Sequence, residues 1–263
     1  MRERRIALLG IPYDEQSSYR KGSAKAPGLI REAWLSPSTN LYSEDGTLVD
    51  GHLVEDFGDL EFGGGDFVET AEQRVDEILK RGYRPLILGG DHSITYPVIK
   101  AFANHERPTI LQIDAHPDLY DSYEGNRLSH ACPFARIMEN GLAKKLVQVG
   151  IRAITAPQRP QVSRFNVEVH EMASLKDDLE LDIAGPLYIS LDIDALDPAF
   201  APGISHREPG GLSTRQVIRI IQSVRGDLIG ADIVEFNPEV DVSGITGSLC
   251  AKLLKEIAAR MSR

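Results

Sequence analysis

Six short runs rich in β-branched and apolar residues, at 5–10, 84–89, 108–114, 146–151, 187–193 and 229–236, alternate with stretches of helical period. This alternation constrains the fold more than any other feature. A strand–helix–strand order calls for crossover connections, and so for a mostly parallel sheet covered by helices on both faces. Residues 67–81 put Val68, Ala71, Val75, Ile78 and Leu79 on one helical face and stop at Gly82, where a C-terminal cap belongs. Ser213, with Gln216 three residues on, makes a capping box for a helix through Val217, Ile220 and Ile221. A last helix, from about 247, repeats Leu249, Leu253, Leu254, Ile257 and Met261. A chain of 263 residues can bury one large α/β core, so a single domain over 1–263 is expected.

The formal charge of -10 argues against nucleic acid as a partner, since phosphate contacts need clustered Lys and Arg, and it suits a cationic substrate. No apolar run approaches the roughly 18 residues of a membrane helix, so a soluble protein is expected. The opening MRERRIALLGIPYD has a basic head like a signal peptide, but its apolar part breaks at Pro12 and Asp14 and reads as a first strand. Cys132 and Cys250 lack disulfide or zinc spacing, which points to a cytoplasmic protein with ordinary buried thiols.

In open α/β sheets ligands bind outside the carboxyl ends of the strands. The acids and imidazoles concentrate there: LILGG runs into Asp91 and His92, TILQI into Asp114, His116 and Asp118, LYIS into Asp192 and Asp194, and ADIV into Glu235. In extended backbone, spacings of two and four residues project Asp114, His116 and Asp118 to one side, and Asp192 and Asp194 likewise. Four converging carboxylates would repel one another and be driven to protonate. Two divalent cations balance them, and mixed oxygen and imidazole donors favour manganese over a thiolate-rich zinc site.

Simpler roles compete at several positions. Asp91 could orient its loop or support His92, and Asp197 before Pro198 reads as a turn former. An EF-hand calcium loop over DIDALDPAFAPG is excluded, because its sixth position is Asp197 and its twelfth Gly203. His52, His105, His170 and His206 are expected to be surface or structural residues, and no nucleotide-binding glycine motif follows a strand.

GGDHS at 89–93, DAHPD at 114–118 and SLDIDALDPAFAPG at 190–203 resemble the three signature motifs of the ureohydrolases, the arginase and agmatinase family. The resemblance extends from GIPYDEQSSYRKGSAKAPGLIR to ADIVEFNP and implies a three-layer α/β/α sandwich with a mostly parallel sheet. It also implies two Mn2+ per chain, one held by His92, Asp114, Asp118 and Asp192, the other by Asp114, His116, Asp192 and Asp194. Asp114 and Asp192 would bridge. The implied reaction is attack of activated water on a guanidinium carbon, aimed by Asp118 or Asp194, with release of urea and an amine. His130 matches the family's proton carrier and Glu235 its bidentate guanidinium-binding carboxylate. A homo-oligomer of three or six subunits is a further implication.

The segments DLYDSYEGNRLSHACPFARIMENGL and PGISHREPGGLS resemble bacterial agmatinases and plant-type arginases. Tyr120 stands where animal arginases carry an asparagine, so their carboxylate contacts do not transfer. Arg207 could meet a substrate carboxylate and Glu208 an amine. Agmatine is placed ahead of arginine on this reading, with roles in polyamine biosynthesis and arginine metabolism, and guanidinobutyrate and other guanidines stay open. Deacetylase-like enzymes share the fold and an Asp-x-His motif but use one zinc; a non-catalytic family member is the other alternative.

Overall fold

A computed structural model of the chain describes residues 5–176 and 179–263. The strands β1 (Ile6–Ile11), β2 (Val54–Asp59), β3 (Arg84–Gly89), β4 (Thr109–Ile113), β5 (Lys145–Ile151), β6 (Glu168–Glu171), β7 (Pro186–Asp192) and β8 (Asp227–Val234) form one sheet. Its order is β2-β1-β3-β8-β7-β4-β5-β6, and every pairing is parallel. Strand alternation divides the core in two. Ile6 and Leu8 of β1 join one apolar cluster with α1 (Ala26–Trp34), α6 (Thr214–Ser223) and α7 (Ile245–Met261). Ala7, Leu9 and Ile11 join the opposite cluster with α2 (Phe67–Lys80), α3 (Thr95–Ala103) and α4 (Pro133–Glu139), against which Val162 of α5 (Arg159–Arg164) also packs. The result is a three-layer α/β/α sandwich, as the alternation in the sequence requires.

The six expected strands are present, with ends shifted by at most two residues. β2 and β6 were not foreseen. They are the two edges of the sheet, and their sequences VEDFGD and EVHE are half-exposed and acidic, with no apolar run to reveal them. Helix ends follow local chemistry: the Asp66 carboxylate accepts the Val68 and Glu69 N–H groups to start α2, and the Ser213–Gln216 capping box opens α6 as expected. α7 begins two residues before the expected point because Gly244, at φ 70°, turns the chain directly into it. Among the described residues no helix is long and apolar enough to cross a membrane.

The strands that end in the candidate residues, β3, β8, β7 and β4, are consecutive neighbours in the middle of the sheet. Their carboxyl ends therefore meet at one place, where chain order along the sheet jumps and the loops part.

Candidate metal centre

Asp192 closes β7, Asp114 follows β4 directly, and His92 lies just past β3 on a short helical turn. All three are buried. The Nδ1 atom of His92 faces Oδ2 of Asp114 at 3.2 Å, of Asp118 at 3.1 Å and of Asp192 at 3.1 Å. These four residues form one potential ligand set, and Asp114, His116 and Asp194 form a second. Asp114 belongs to both. Asp192, the other expected bridge, groups only with the first set; its Oδ1 accepts the Asp194 N–H at 2.7 Å and Oδ2 turns to His92.

The fit to cations rests on His92. Its Nε2 lies 2.9 Å from the Ser190 hydroxyl, which donates to Asp232 Oδ1 at 2.7 Å. With its proton spent on Asp232, Ser190 can only accept, so Nε2 carries the imidazole hydrogen and Nδ1 presents a lone pair. That Nδ1 is fully buried and, among the described residues, has no hydrogen-bond partner, while three carboxylate oxygens converge on it. A metal-ligand nitrogen is arranged in this way.

Beneath the ligands runs a polar row that sequence reading missed. Gln148, Gln112, Ser190 and Asp232 are register partners across β5, β4, β7 and β8, all fully buried. Gln148 donates to Gln112 Oε1 at 2.6 Å, and Gln112 donates to Asp114 Oδ2 at 2.6 Å. A signal was present: each is a polar residue inside an otherwise apolar strand, and Gln112 and Ser190 sit two residues before Asp114 and Asp192, on the same face.

Electrostatics give the same reading. Burial first, then the charges of Asp118 and Asp194, push Asp114 up to about 7. Burial, Asp194 and Asp114 push Asp192 well above the usual range. Burial disfavours the charged forms of His92 and His116, but their carboxylate neighbours outweigh it and hold both well above the ordinary imidazole value. Asp194 would be raised by burial, yet His116 and nearby hydrogen bonds keep it low. Without cations the cluster retains protons that a divalent ion would displace.

A pH dependence follows. Asp114 and Asp192 bind protons in the folded chain at pH values where the unfolded chain has released them, and His92 and His116 do the same above about pH 6.5. Stability from these groups is complete at low pH and is lost as pH rises. Asp194 and Glu235, held low, act with the opposite sign but only below about pH 4. The metal-free chain should therefore lose stability between about pH 5 and 8, by up to about 1.4 kcal/mol per pH unit for each proton released. Calorimetric Tm against pH checks this, with Mn2+ expected to raise Tm most at pH 8.

Glu235 follows β8 at φ 64°, and Asp118 has φ 50°. Both are left-handed positions that cost a non-glycine residue on the order of 1–3 kcal/mol, so two of the acids at the site are held on strained backbone. Glu235 Oε1 accepts the His92 N–H at 2.9 Å and meets His130 Nδ1 at 2.9 Å. A bidentate grip on a guanidinium was expected, but with Oε1 engaged twice, Oε2 is the oxygen left for a ligand. Burial alone would lower His130; the Glu235 charge and hydrogen bond outweigh it and bring it up to about 9.

A cavity of about 240 Å³ opens beside the ligands, bounded by His116, Asp118, Asp192, Asp194, His130 and Glu235 on the inner side. Its remaining wall includes Ser18, Tyr120, Tyr123, Thr155, Gln158 and His206. His206, expected to be surface or structural, has its ring centroid 5.3 Å from that of His130 and 6.0 Å from that of His116. Arg207 and Glu208, expected near the substrate's far end, are exposed and absent from the cavity wall. Arg152 causes this by donating to the Glu208 carbonyl at 2.7 Å and 2.9 Å, which ties the loop backbone inward and leaves those side chains outside. Asp91 faces Gln16, Ser17 and Ser93, so it orients loops and makes no contact with the His92 ring among its hydrogen bonds. Asp197 accepts the N–H groups of Ala199, Gly210 and Gly211, a turn former as expected.

The arginase family model matches residues 4–259. The mitochondrial arginase of Medicago truncatula is 44% identical over 278 residues, covering 98% of this chain and 82% of that protein. Arginase 1, mitochondrial, of Arabidopsis thaliana is 45% identical over 278 residues, covering 98% and 81%. The solved arginase from Medicago truncatula superposes with a TM-score of 0.93 at 42% identity, covering 99% of this chain and 88% of that one. Both relatives are mitochondrial by name, which overturns the cytoplasmic expectation. Two free, buried cysteines do not single out one compartment. The two ligand sets form a binuclear metal-binding site of the ureohydrolase type.

Proposed function

We propose that this chain, which belongs to the arginase family, is a manganese-dependent ureohydrolase that cleaves arginine to ornithine and urea. The observation that carries the choice of substrate is the outer cavity wall. Tyr120, Tyr123, Thr155 and Gln158 offer hydroxyls and an amide, with the Tyr120 hydroxyl 2.7 Å from Thr155 Oγ1. Among the described residues, that wall carries no carboxylate for the free amine of agmatine. Neutral donors and acceptors suit the α-amino and α-carboxylate groups of an amino acid, which together carry no net charge. The plant arginases among the relatives support the same order, so arginine replaces agmatine as the preferred substrate.

The oxygen-rich donor set with one imidazole per ligand set supports Mn2+, and the shared Asp114 supports two ions over the single zinc of deacetylase-like enzymes. When bound, the ions supply Lewis acidity and generate a nucleophile from water at neutral pH. The protein's part is to aim and to move protons. Glu235 Oε2 pairs the guanidinium and holds its carbon over the ligand sets. Asp194 has Oδ1 engaged by the Ala115 N–H and Oδ2 facing His116, which leaves Asp118 to orient the attacking group. His130, protonated at neutral pH, supplies the proton that the departing amine needs.

Urea release across a panel of guanidines tests the reading. Arginine should exceed agmatine and guanidinobutyrate by at least about a hundredfold in kcat/KM. A higher value for agmatine would reverse the assignment, and no release from any guanidine would leave a metal-binding protein without this activity.

A further inference from the structure

The loop between β1 and α1 contributes a residue to which no role has been given. Ser18 touches His130 twice: its N–H donates to Nε2 at 3.2 Å, and its hydroxyl lies 2.8 Å from the same atom. The other ring nitrogen, Nδ1, meets Glu235 Oε1 at 2.9 Å.

A backbone N–H only donates, so Nε2 must be the accepting nitrogen of the neutral ring, and the ring hydrogen sits on Nδ1, given to the Glu235 carboxylate. Once Nε2 is protonated it needs an acceptor, and the Ser18 hydroxyl is the one beside it. One residue therefore serves both protonation states of His130: the N–H meets the neutral ring, and the hydroxyl oxygen meets the charged one. Ser18 itself is exposed and lines the cavity, whereas His130 is buried.

The loop is held in this position. The buried Asp91 carboxylate accepts the Gln16 N–H at 3.0 Å and the Ser17 hydroxyl at 3.3 Å. The Asp91 N–H donates to the Tyr13 carbonyl at 2.9 Å, and the His130 N–H donates to the Gln16 carbonyl at 3.2 Å. Gly90 permits the approach, since a Cβ there would lie 2.0 Å from the Tyr13 oxygen. The sequence places Asp91 beside His92, yet its hydrogen bonds act on the loop that delivers Ser18 to His130.

We infer that Ser18 is a further catalytic residue working with His130, fixing its tautomer and relaying its proton between Nε2 and the cavity. In the relay the Ser18 hydroxyl gives its hydrogen to the departing amine nitrogen, which has taken the electron pair of the breaking C–N bond. Ser18 Oγ takes the Nε2 hydrogen in the same step, so the serine ends as it began and the ring ends neutral. This role rests on the ureohydrolase reading, but the tautomer does not.

Kinetics of Ser18→Ala and Ser18→Thr, together with histidine-selective 15N NMR of the full-length chain, test it. Ser18→Ala should lower kcat about tenfold to a hundredfold, with KM for arginine within about twofold and manganese content unchanged; Ser18→Thr, which keeps a hydroxyl, should recover most of the loss. In the spectrum, neutral His130, assigned by its loss in His130→Gln, should carry its hydrogen on Nδ1. An unchanged kcat in Ser18→Ala, a rise in KM alone, or a neutral ring protonated on Nε2 would overturn the role. Should the wild type release no urea, the functional reading fails, and the spectrum alone decides the tautomer.

Discussion

Exchange of Asp114 for asparagine is expected to empty both metal positions and to lower urea release by at least about ten-thousandfold, on the order of 5 kcal/mol of transition-state stabilisation. Asp114 is the residue common to both ligand sets, so a single carboxylate is lost from each. Asparagine keeps the shape and an oxygen for the His116 N–H, which Asp114 Oδ1 now accepts at 2.6 Å, and loses only the acceptor that Oδ2 offers Gln112. The fold should survive. Without its metals the variant also lacks a group pushed up to about 7, so its Tm should fall less steeply with rising pH than that of the metal-free wild type. Metal content by elemental analysis and Tm across pH 5–8 check both parts. A variant that still binds two ions would show that Asp114 does not bridge.

The same residue shows what a sequence can reveal about such a site. Asp114, His116 and Asp118 stand at regular spacing directly after an apolar strand, and extended geometry is enough to place them together. That four strand ends would meet also followed, because a parallel sheet delivers all its carboxyl ends to one edge. What did not follow was their adjacency as β3-β8-β7-β4, which depends on long-range pairing that no local pattern encodes. The edge strands β2 and β6 were hidden for the opposite reason: their half-exposed acidic residues satisfy solvent as well as sheet. Ser18 and His206 lie in loops whose path is set by contacts with distant residues, such as Asp91 for the first. Spacing carries no information about those contacts. The deeper polar row was legible in principle, since Gln112, Gln148, Ser190 and Asp232 each interrupt a buried strand at a matched register. A buried polar group needs a partner, and four in line imply that they partner one another or the site above them.

Glu235→Gln is expected to reduce kcat/KM for arginine about a thousandfold, near 4 kcal/mol, while leaving both ions in place. Glu235 belongs to neither ligand set, so metal content should match the wild type. The amide keeps one oxygen for the His92 N–H and the His130 ring, now held by Oε1 at 2.9 Å each, and so the strained backbone at φ 64° retains its anchors. Two losses then act together. The position of Oε2 becomes an NH2 group, which presents donors to a guanidinium that has only donors. The charge that keeps His130 protonated at neutral pH also disappears, so the ring returns toward the lower value that burial imposes and supplies the amine's proton less readily. The first loss should appear mainly in KM, the second in kcat with an acid-shifted limb of its pH profile. If KM changed and the pH profile did not, Glu235 would bind substrate without governing His130, and the 2.9 Å contact between them would be structural alone.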